Sequence, residues 1–298
     1  MANRVPGSLI MHRREFIGQA TALLSISAVA PEIRSIDRGL RVGVCTDLHY
    51  ADIDTRGSRH YRLGLDRLRD AVEAWNRSGV DMVIHLGDLI DAGARTDADA
   101  EEGYLRAAAH EIKKAHAPRY YVLGNHCVAT IKKARFLRIV GQRRAHLSFN
   151  RAGYHHVILD GCYRRDGVSY DEGPFDWTDA DIPDTQRRWL ADDLARTRLP
   201  TLVYVHQRLD LPADHPYAIH SADEIRSILE RSRRVVAVVM GHSHDNDLRR
   251  IGGIAYITLA AMVEGPREAG SAFGVLHATR EGSVRLVGSG RLSDHPAS

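Results

Sequence analysis

Five short motifs place metal-binding side chains along the chain: Asp47-Leu48-His49, Gly87-Asp88, Gly124-Asn125-His126, His206 and Gly241-His242-Ser243-His244. Each motif follows a short apolar run. Carboxylate, imidazole and amide oxygen together suit Mn, Fe or Zn rather than a thiolate site. The set holds more ligands than one ion needs, so two ions are expected. A pair about 3.5–4 Å apart can clamp the attacking and leaving oxygens of an in-line displacement. One carboxylate must then bridge the ions, and Asp88 is the natural choice. Any one motif alone says little, since a Gly-Asp after a strand is common. His85, inside a run rather than at its end, reads as a structural histidine.

The elements that must deliver these groups are legible from periodicity. Leu40 to Thr46, Met82 to Leu86, Tyr120 to Leu123, Tyr154 to Leu159, Thr201 to Val205 and Val235 to Met240 read as buried strands. Helical spacing of apolar residues covers Tyr61 to Trp75 and Ala98 to Ala115, and also the segment around Gln186, Trp189, Leu190 and Leu194. This strand–loop–helix rhythm predicts an α/β fold with a largely parallel central sheet. In such sheets ligand sites gather beyond the carboxyl ends of strands, where all five motifs fall. The segments Ile254 to Leu259, Ala272 to Ala278 and Ser283 to Val287 read as a closing strand meander. Asp166 to Asp184 reads as a long acidic surface loop.

Composition narrows the function classes. Hydrophobic residues are 44% and charged residues 27%, ordinary for a globular protein. The 41 basic and 38 acidic residues leave a net charge of +3 with no long block of one sign, and aromatics are only 6%. Both points argue against nucleic acid as a partner. Cys45, Cys127 and Cys162 are too few for a disulfide framework; free thiols are favoured, with a Cys127–Cys162 bridge as the alternative. Residues 1 to about 38 read as a leader. Arg13-Arg14 precedes an apolar run from Gly18 to Ala30 that is too short to span a bilayer. This resembles a Tat export signal, with Met11 as an alternative start, and implies an exported, periplasmic protein. Residues 39–298 are expected to form one domain with no membrane span. Nothing in the chain points to an oligomeric state.

The five motifs in this order resemble the calcineurin-like metallophosphoesterases, over nearly the whole stretch from Leu40 to Arg291. The resemblance implies a four-layer α/β/β/α sandwich with a mixed central sheet. It implies a phosphoesterase in which a metal-activated hydroxide attacks phosphorus in line. One metal would take Asp47, His49, Asp88 and His244, and the other Asp88, Asn125, His206 and His242. His126 would be the non-ligand histidine that helps the leaving oxygen depart. The run Tyr50-Ala51-Asp52, the stretch Arg56 to Arg62, and Gln186 with Trp189-Leu190 are similar to the Mn-dependent ADP-ribose/CDP-alcohol diphosphatases. Arg56, Arg59 and Arg62 would then hold phosphate oxygens, or else form a salt-bridged helix start. Tyr50 would stack on a base or pack in the core.

Two departures from that branch stand out. His49 replaces a glutamine found in many of its eukaryotic members. Cys127 replaces the acid that usually follows the catalytic histidine and would fix its tautomer. Another acid must do that work, or the pH optimum moves and Cys127 modulates it. Hydrolysis of a nucleoside diphosphate-linked small molecule is the leading expectation. An exported phosphomonoesterase or a cyclic-nucleotide or glycerophospho-type phosphodiesterase is the second, and a non-catalytic binding module of the same fold is the third.

Overall fold

In a strand, alternate side chains face opposite sides, so a strand buried on both faces must be apolar throughout. β1 (Leu40–Cys45), β2 (Met82–His85), β7 (Val235–Met240) and β9 (Ile254–Thr258) come close to that condition. The computed structural model describes residues 39–92 and 97–296. The leader expected over 1–38 lies outside the described residues.

Two mixed sheets result. The first runs β11 (Val284–Ser289), β10 (Phe273–Ala278), β1, β2, β3 (Arg119–Tyr121). Its β1, β2 and β3 are parallel, and β10 lies antiparallel beside β1. The second runs β4 (Leu147–Arg151), β5 (Tyr154–Ile158), β6 (Thr201–Tyr204), β7, β9, β8 (Asp247–Ile251). There β5, β6, β7 and β9 are parallel, with antiparallel strands at both edges.

The sheets pack face to face through Val42, Val44, Ile84, Ile158, Tyr204, Val239, Ile257 and Leu276. Helices α1 (Gly64–Ser78), α2 (Ala98–Ile112) and α3 (Lys133–Val140) cover the outer face of the first sheet. Helices α4 (Asp184–Arg196) and α5 (Ala222–Ser232) cover that of the second. The expected α/β/β/α layering is therefore present, with two mixed sheets in place of one central sheet. No described helix is long and apolar enough to cross a membrane.

The expected meander forms only in its second half, where β10 and β11 pair antiparallel. β9 is buried on both faces and joins the second sheet beside β7, whereas β10 crosses to the first sheet and pairs with β1. The connection between them runs over the carboxyl ends of the strands. Periodicity does not mark the edge strands β4 and β8, whose polar and charged residues interrupt any apolar run (Asn150, Arg151, Arg249, Arg250). The short helices α3 and α5 are likewise absent from the sequence expectation. The acidic loop from Asp166 onward contains one 3-10 turn at Tyr170–Glu172 before α4 begins.

One close contact ties α1 to its sheet. The indole of Trp75 lies on Gly43 and donates from Nε1 to the Gly274 carbonyl at 2.9 Å. A Cβ on residue 43 would stand 2.8 Å from the indole. Gly43→Ala is therefore expected to destabilise the fold by about 1–3 kcal/mol. The measurement is urea unfolding, with a lower midpoint at unchanged slope.

Candidate metal centre

The strand ends carry the five motifs to the seam between the sheets. Asp47 and His49 follow β1, Asp88 follows β2 and Asn125 follows β3. His206 follows β6, and His242 and His244 follow β7. The first sheet thus supplies mostly oxygen donors, and the second supplies imidazoles. Five of the seven non-glycine residues with positive φ among those described are in this set: Asp47, His49, Asp88, His242 and His244. A side-chain-bearing residue held there stores backbone strain, which clusters at functional sites. The glycines of the motifs make room: a Cβ on Gly124 would lie 2.2 Å from Asp88 Oδ1.

Hydrogen bonds aim each donor inward. Asp47 Oδ2 accepts from Thr46 Oγ1 at 2.6 Å and from the His242 amide at 3.0 Å, while Oδ1 has no partner. Asp88 Oδ1 accepts from the His126 amide at 2.8 Å, which leaves Oδ2 to face the centre. His206 Nδ1 donates to the Leu86 carbonyl at 2.8 Å, and His244 Nδ1 to Glu264 at 2.7 Å. Asp91 accepts from His49 Nδ1 at 3.0 Å. These outer acceptors leave the Nε2 atoms of three histidines pointing into the site, the usual arrangement around a metal. Asn125 Oδ1 is buried and unpartnered.

The remaining atoms form two sets. His49 Nε2 and His244 Nε2 are 3.2 Å apart, and Asp47 Oδ1 lies 3.6 and 3.4 Å from them. His206 Nε2 is 3.2 Å from His242 Nδ1 and 3.1 Å from Asp88 Oδ2. Asp88 Oδ2 is also 3.7 Å from His49 Nε2, so it borders both sets. Ligands around an ion at about 2.0–2.2 Å stand roughly 3.0–3.5 Å apart. The spacing, the facing nitrogens and the orphaned Asp47 and Asn125 oxygens therefore fit two cations. A third grouping joins His49, Asp88 and His126. In it, the Nδ1 of His126 meets Asp91 at 3.3 Å, which turns the other edge of this partly exposed ring toward the cleft.

Burial and charge oppose each other here. Burial alone would lower the pKa values of His206 and His244, but the adjoining Asp88, Asp47 and Glu264 carboxylates raise both to about 9. His242 is pushed down to about 3, by burial and then by its cationic neighbour His206. Burial works against ionisation of Asp47 and Asp88, yet the surrounding histidines hold both below the usual carboxylate range. For His126, burial lowers the pKa, and Asp88 and Asp91 more than offset it, so the net shift is upward.

The other expected site residues divide. Arg59 lines the cleft above the centre, together with His126, Trp177, Tyr217, Ser243 and His244, in a space of about 440 Å³. Arg62 does not reach it, because Asp52 and Asp54 hold its guanidinium at 2.6 Å each. Arg56 only pairs its backbone with Arg59. Tyr50 packs edge-on against Tyr104, away from the cleft. Cys127 is a buried free thiol, pushed up to about 12 by burial and then by Asp88. The acid that meets His126 is Asp91, not the residue beside it. Cys45 and Cys162 are free as well. His85 is fully buried with neither ring nitrogen bonded, and burial lowers its pKa to about 3, which makes it a neutral core imidazole.

The structure adds groups that the motifs do not contain. Asp91 stands three residues after Asp88 in Gly-Asp-x-x-Asp, a spacing visible in the sequence. Glu264 lies on the β9–β10 crossover, and nothing near it in sequence marks it. Arg208 is buried and bonds Ser243 Oγ at 3.0 Å while it holds Asp210 and Asp247. It braces the loop between the two histidines of the last motif. Trp177 and Tyr217 belong to loops without periodicity.

Residues 40–246 match the family model of the calcineurin-like phosphoesterases. A manganese-dependent ADP-ribose/CDP-alcohol diphosphatase of Arabidopsis thaliana is 33% identical over 130 residues, covering 40% of this chain and 41% of that protein. One of the same name from Danio rerio is 37% identical over 90 residues, 28% of each chain. The matched stretches thus span well under two thirds of those relatives. Among solved structures, a dimetal phosphatase from Danio rerio superposes with a TM-score of 0.74 over 87% of this chain and 98% of that one, at 23% identity. A purple acid phosphatase from yellow lupin gives 0.55 over 86% and 52%, at 12% identity. These two likenesses are likenesses of fold.

Two outcomes follow from the electrostatics. His206 and His244 hold protons at pH 7 without metal, so metal binding must displace them. Calorimetry in buffers of different ionisation heat is expected to show about two protons released per pair of ions at pH 7, and fewer near pH 10. Asp91→Asn removes a group that raises the His126 pKa. A histidine that acts protonated loses its effect as pH rises through its pKa, so the alkaline limb of the pH–rate profile should move to lower pH. The rate at the optimum should fall about 10–100-fold; an unmoved limb would remove Asp91 from this role.

Proposed function

This chain belongs to the calcineurin-like phosphoesterase family and is a metal-dependent hydrolase; from that premise we propose that it splits the phosphoanhydride of nucleoside diphosphate-linked compounds, of the ADP-ribose or CDP-alcohol type, with two manganese ions. Asp47, His49, Asp88 and His244 hold one ion in this reading, and Asp88, Asn125, His206 and His242 hold the other. The observation that carries it is the position of Asp88 Oδ2, within 3.7 Å of His49 Nε2 and 3.1 Å of His206 Nε2. The preference for nucleoside diphosphate substrates rests on the two manganese-dependent relatives.

A metal pair held by these residues would supply an activated water and neutralise charge at the reacting phosphorus. The chain does the rest. Asp47, Asp88, Asn125 and the four ligand histidines fix the geometry, and the outer hydrogen bonds of His49, His206 and His244 resist rotation of those rings. Arg59, tethered to Glu264 at 3.7 Å, offers its guanidinium to a second phosphate. His126 faces the cleft with Nδ1 held by Asp91, in position to give a proton to the departing oxygen.

The test uses the full chain loaded with Mn²⁺ and assayed with ADP-ribose, CDP-choline, a cyclic nucleotide and an alkyl phosphate monoester. AMP and CMP are the expected products from the first two. Turnover of only the cyclic compound or the monoester would overturn the diphosphatase reading. His126→Ala is expected to lower kcat about 10²–10⁴-fold wherever the leaving group needs a proton. A phosphate leaves as a stable anion more readily than an alkoxide, so the loss on ADP-ribose should be the smaller one.

A further inference from the structure

Trp177 is the one large hydrophobic side chain exposed among the described residues, at 39%. It stands in the wall of the metal cleft rather than on open surface. Its ring meets His242 edge-on at 5.5 Å between centroids, and Tyr217 meets the same imidazole at 5.4 Å. The Trp177 and Tyr217 rings are 5.4 Å apart and tilted by 35°, an open book rather than a closed stack.

The loop under Trp177 is braced. Asp176 Oδ1 accepts from both the amide and the hydroxyl of Thr178 at 2.9 Å, a local turn that flanks the indole on both sides. Farther along, Asp181 accepts from the Ser221 amide at 3.0 Å, which ties this loop to the one that carries Tyr217. Both rings are therefore presented by loops with their own hydrogen bonds. The same cleft offers Arg59 and the edge of His126.

We propose that Trp177 and Tyr217 form a subsite for a planar heteroaromatic ring, a nucleobase, whose attached phosphate lies at the His206–His242 side of the metal centre. Exposed apolar surface beside a charged floor is unfavourable until it is covered, and a flat ring covers it without desolvating the ligand groups. Stacking tolerates any base, which suits a site that reads a nucleotide through its phosphate rather than through base edges. The remaining half of a diphosphate substrate then extends toward His49, His244 and Arg59. Tyr50, the tyrosine beside the first motif, has no part in it because its ring is committed to Tyr104.

The subsite deepens the function proposed above and rests on it, and its test can be read without turnover. The Mn²⁺-loaded full chain is titrated calorimetrically with AMP and with ribose 5-phosphate, which carries a phosphate and a sugar but no base. AMP is expected to bind about tenfold more tightly, within the range seen for base–aromatic stacking. Trp177→Ala should bring AMP to the level of ribose 5-phosphate, Trp177→Phe should keep most of the difference, and the affinity for ribose 5-phosphate should stay the same in all three proteins. Equal affinities in the wild type, or discrimination that survives Trp177→Ala, would overturn the subsite. ADP-ribose turnover is assayed in parallel. Its absence alongside intact discrimination would remove the diphosphatase reading and leave the base subsite standing.

Discussion

Everything at this centre depends on one buried carboxylate being shared. Asp88 is held by the His126 amide on one oxygen and faces histidines from both sheets with the other. Around it, imidazole nitrogens and carboxylate oxygens converge at 3.1–3.7 Å, and Asp47 Oδ1 and Asn125 Oδ1 accept no hydrogen bond. A buried acceptor without a donor is costly, and a divalent cation is the simplest group that satisfies several acceptors at once. The packing between the sheets would therefore set the spacing of any ions held there. A small shift of one sheet against the other would separate Asp88 from His206.

Backbone strain runs against the stability of the metal-free chain. Five donors sit at positive φ without being glycine, each at a cost on the order of 1 kcal/mol or more. Two carboxylates and several imidazoles are buried together, where the opposite charges of Asp47, Asp88, His206 and His244 work against the cost of burial. Activity commonly rests on such locally unfavourable arrangements, with the surrounding core supplying the stability they lack. Here that core is the apolar layer between the sheets and the seam of α1 on Gly43.

Much of this is legible in the chain because apolar runs and ligand motifs coincide. A buried parallel strand is a continuous apolar run, and the residue after it stands at the sheet's carboxyl edge. Position alone therefore places Asp47, Asp88, Asn125, His206 and His242. What stays hidden lacks a local signature. The edge strands β4 and β8 carry solvent-facing polar residues, so they do not stand out as runs. The β9–β10 crossover looks like a hairpin in sequence, because pairing partners are chosen by burial that only the full fold defines. Glu264, Trp177 and Tyr217 sit in irregular loops, and their roles arise from tertiary placement. Tyr50 and Arg62 illustrate the opposite error: closeness in sequence to a ligand does not bring either into the cleft. Asp91 is the intermediate case. It is marked by its spacing from Asp88, yet the ring it orients belongs to a different strand end.

The crossover from β9 to β10 also bears on how the molecule is made. β1 is near the start of the described chain, yet its antiparallel neighbour is β10, at residues 273–278. Candidate ligands separated by nearly two hundred positions, Asp47 and His244, must meet as well. A ribosome delivers residues in order, so the first sheet waits with one side of β1 uncovered until almost all the chain has emerged. Contacts of such long sequence separation close late and slowly. A metal pair at this site would consequently belong to the finished molecule rather than nucleate its folding.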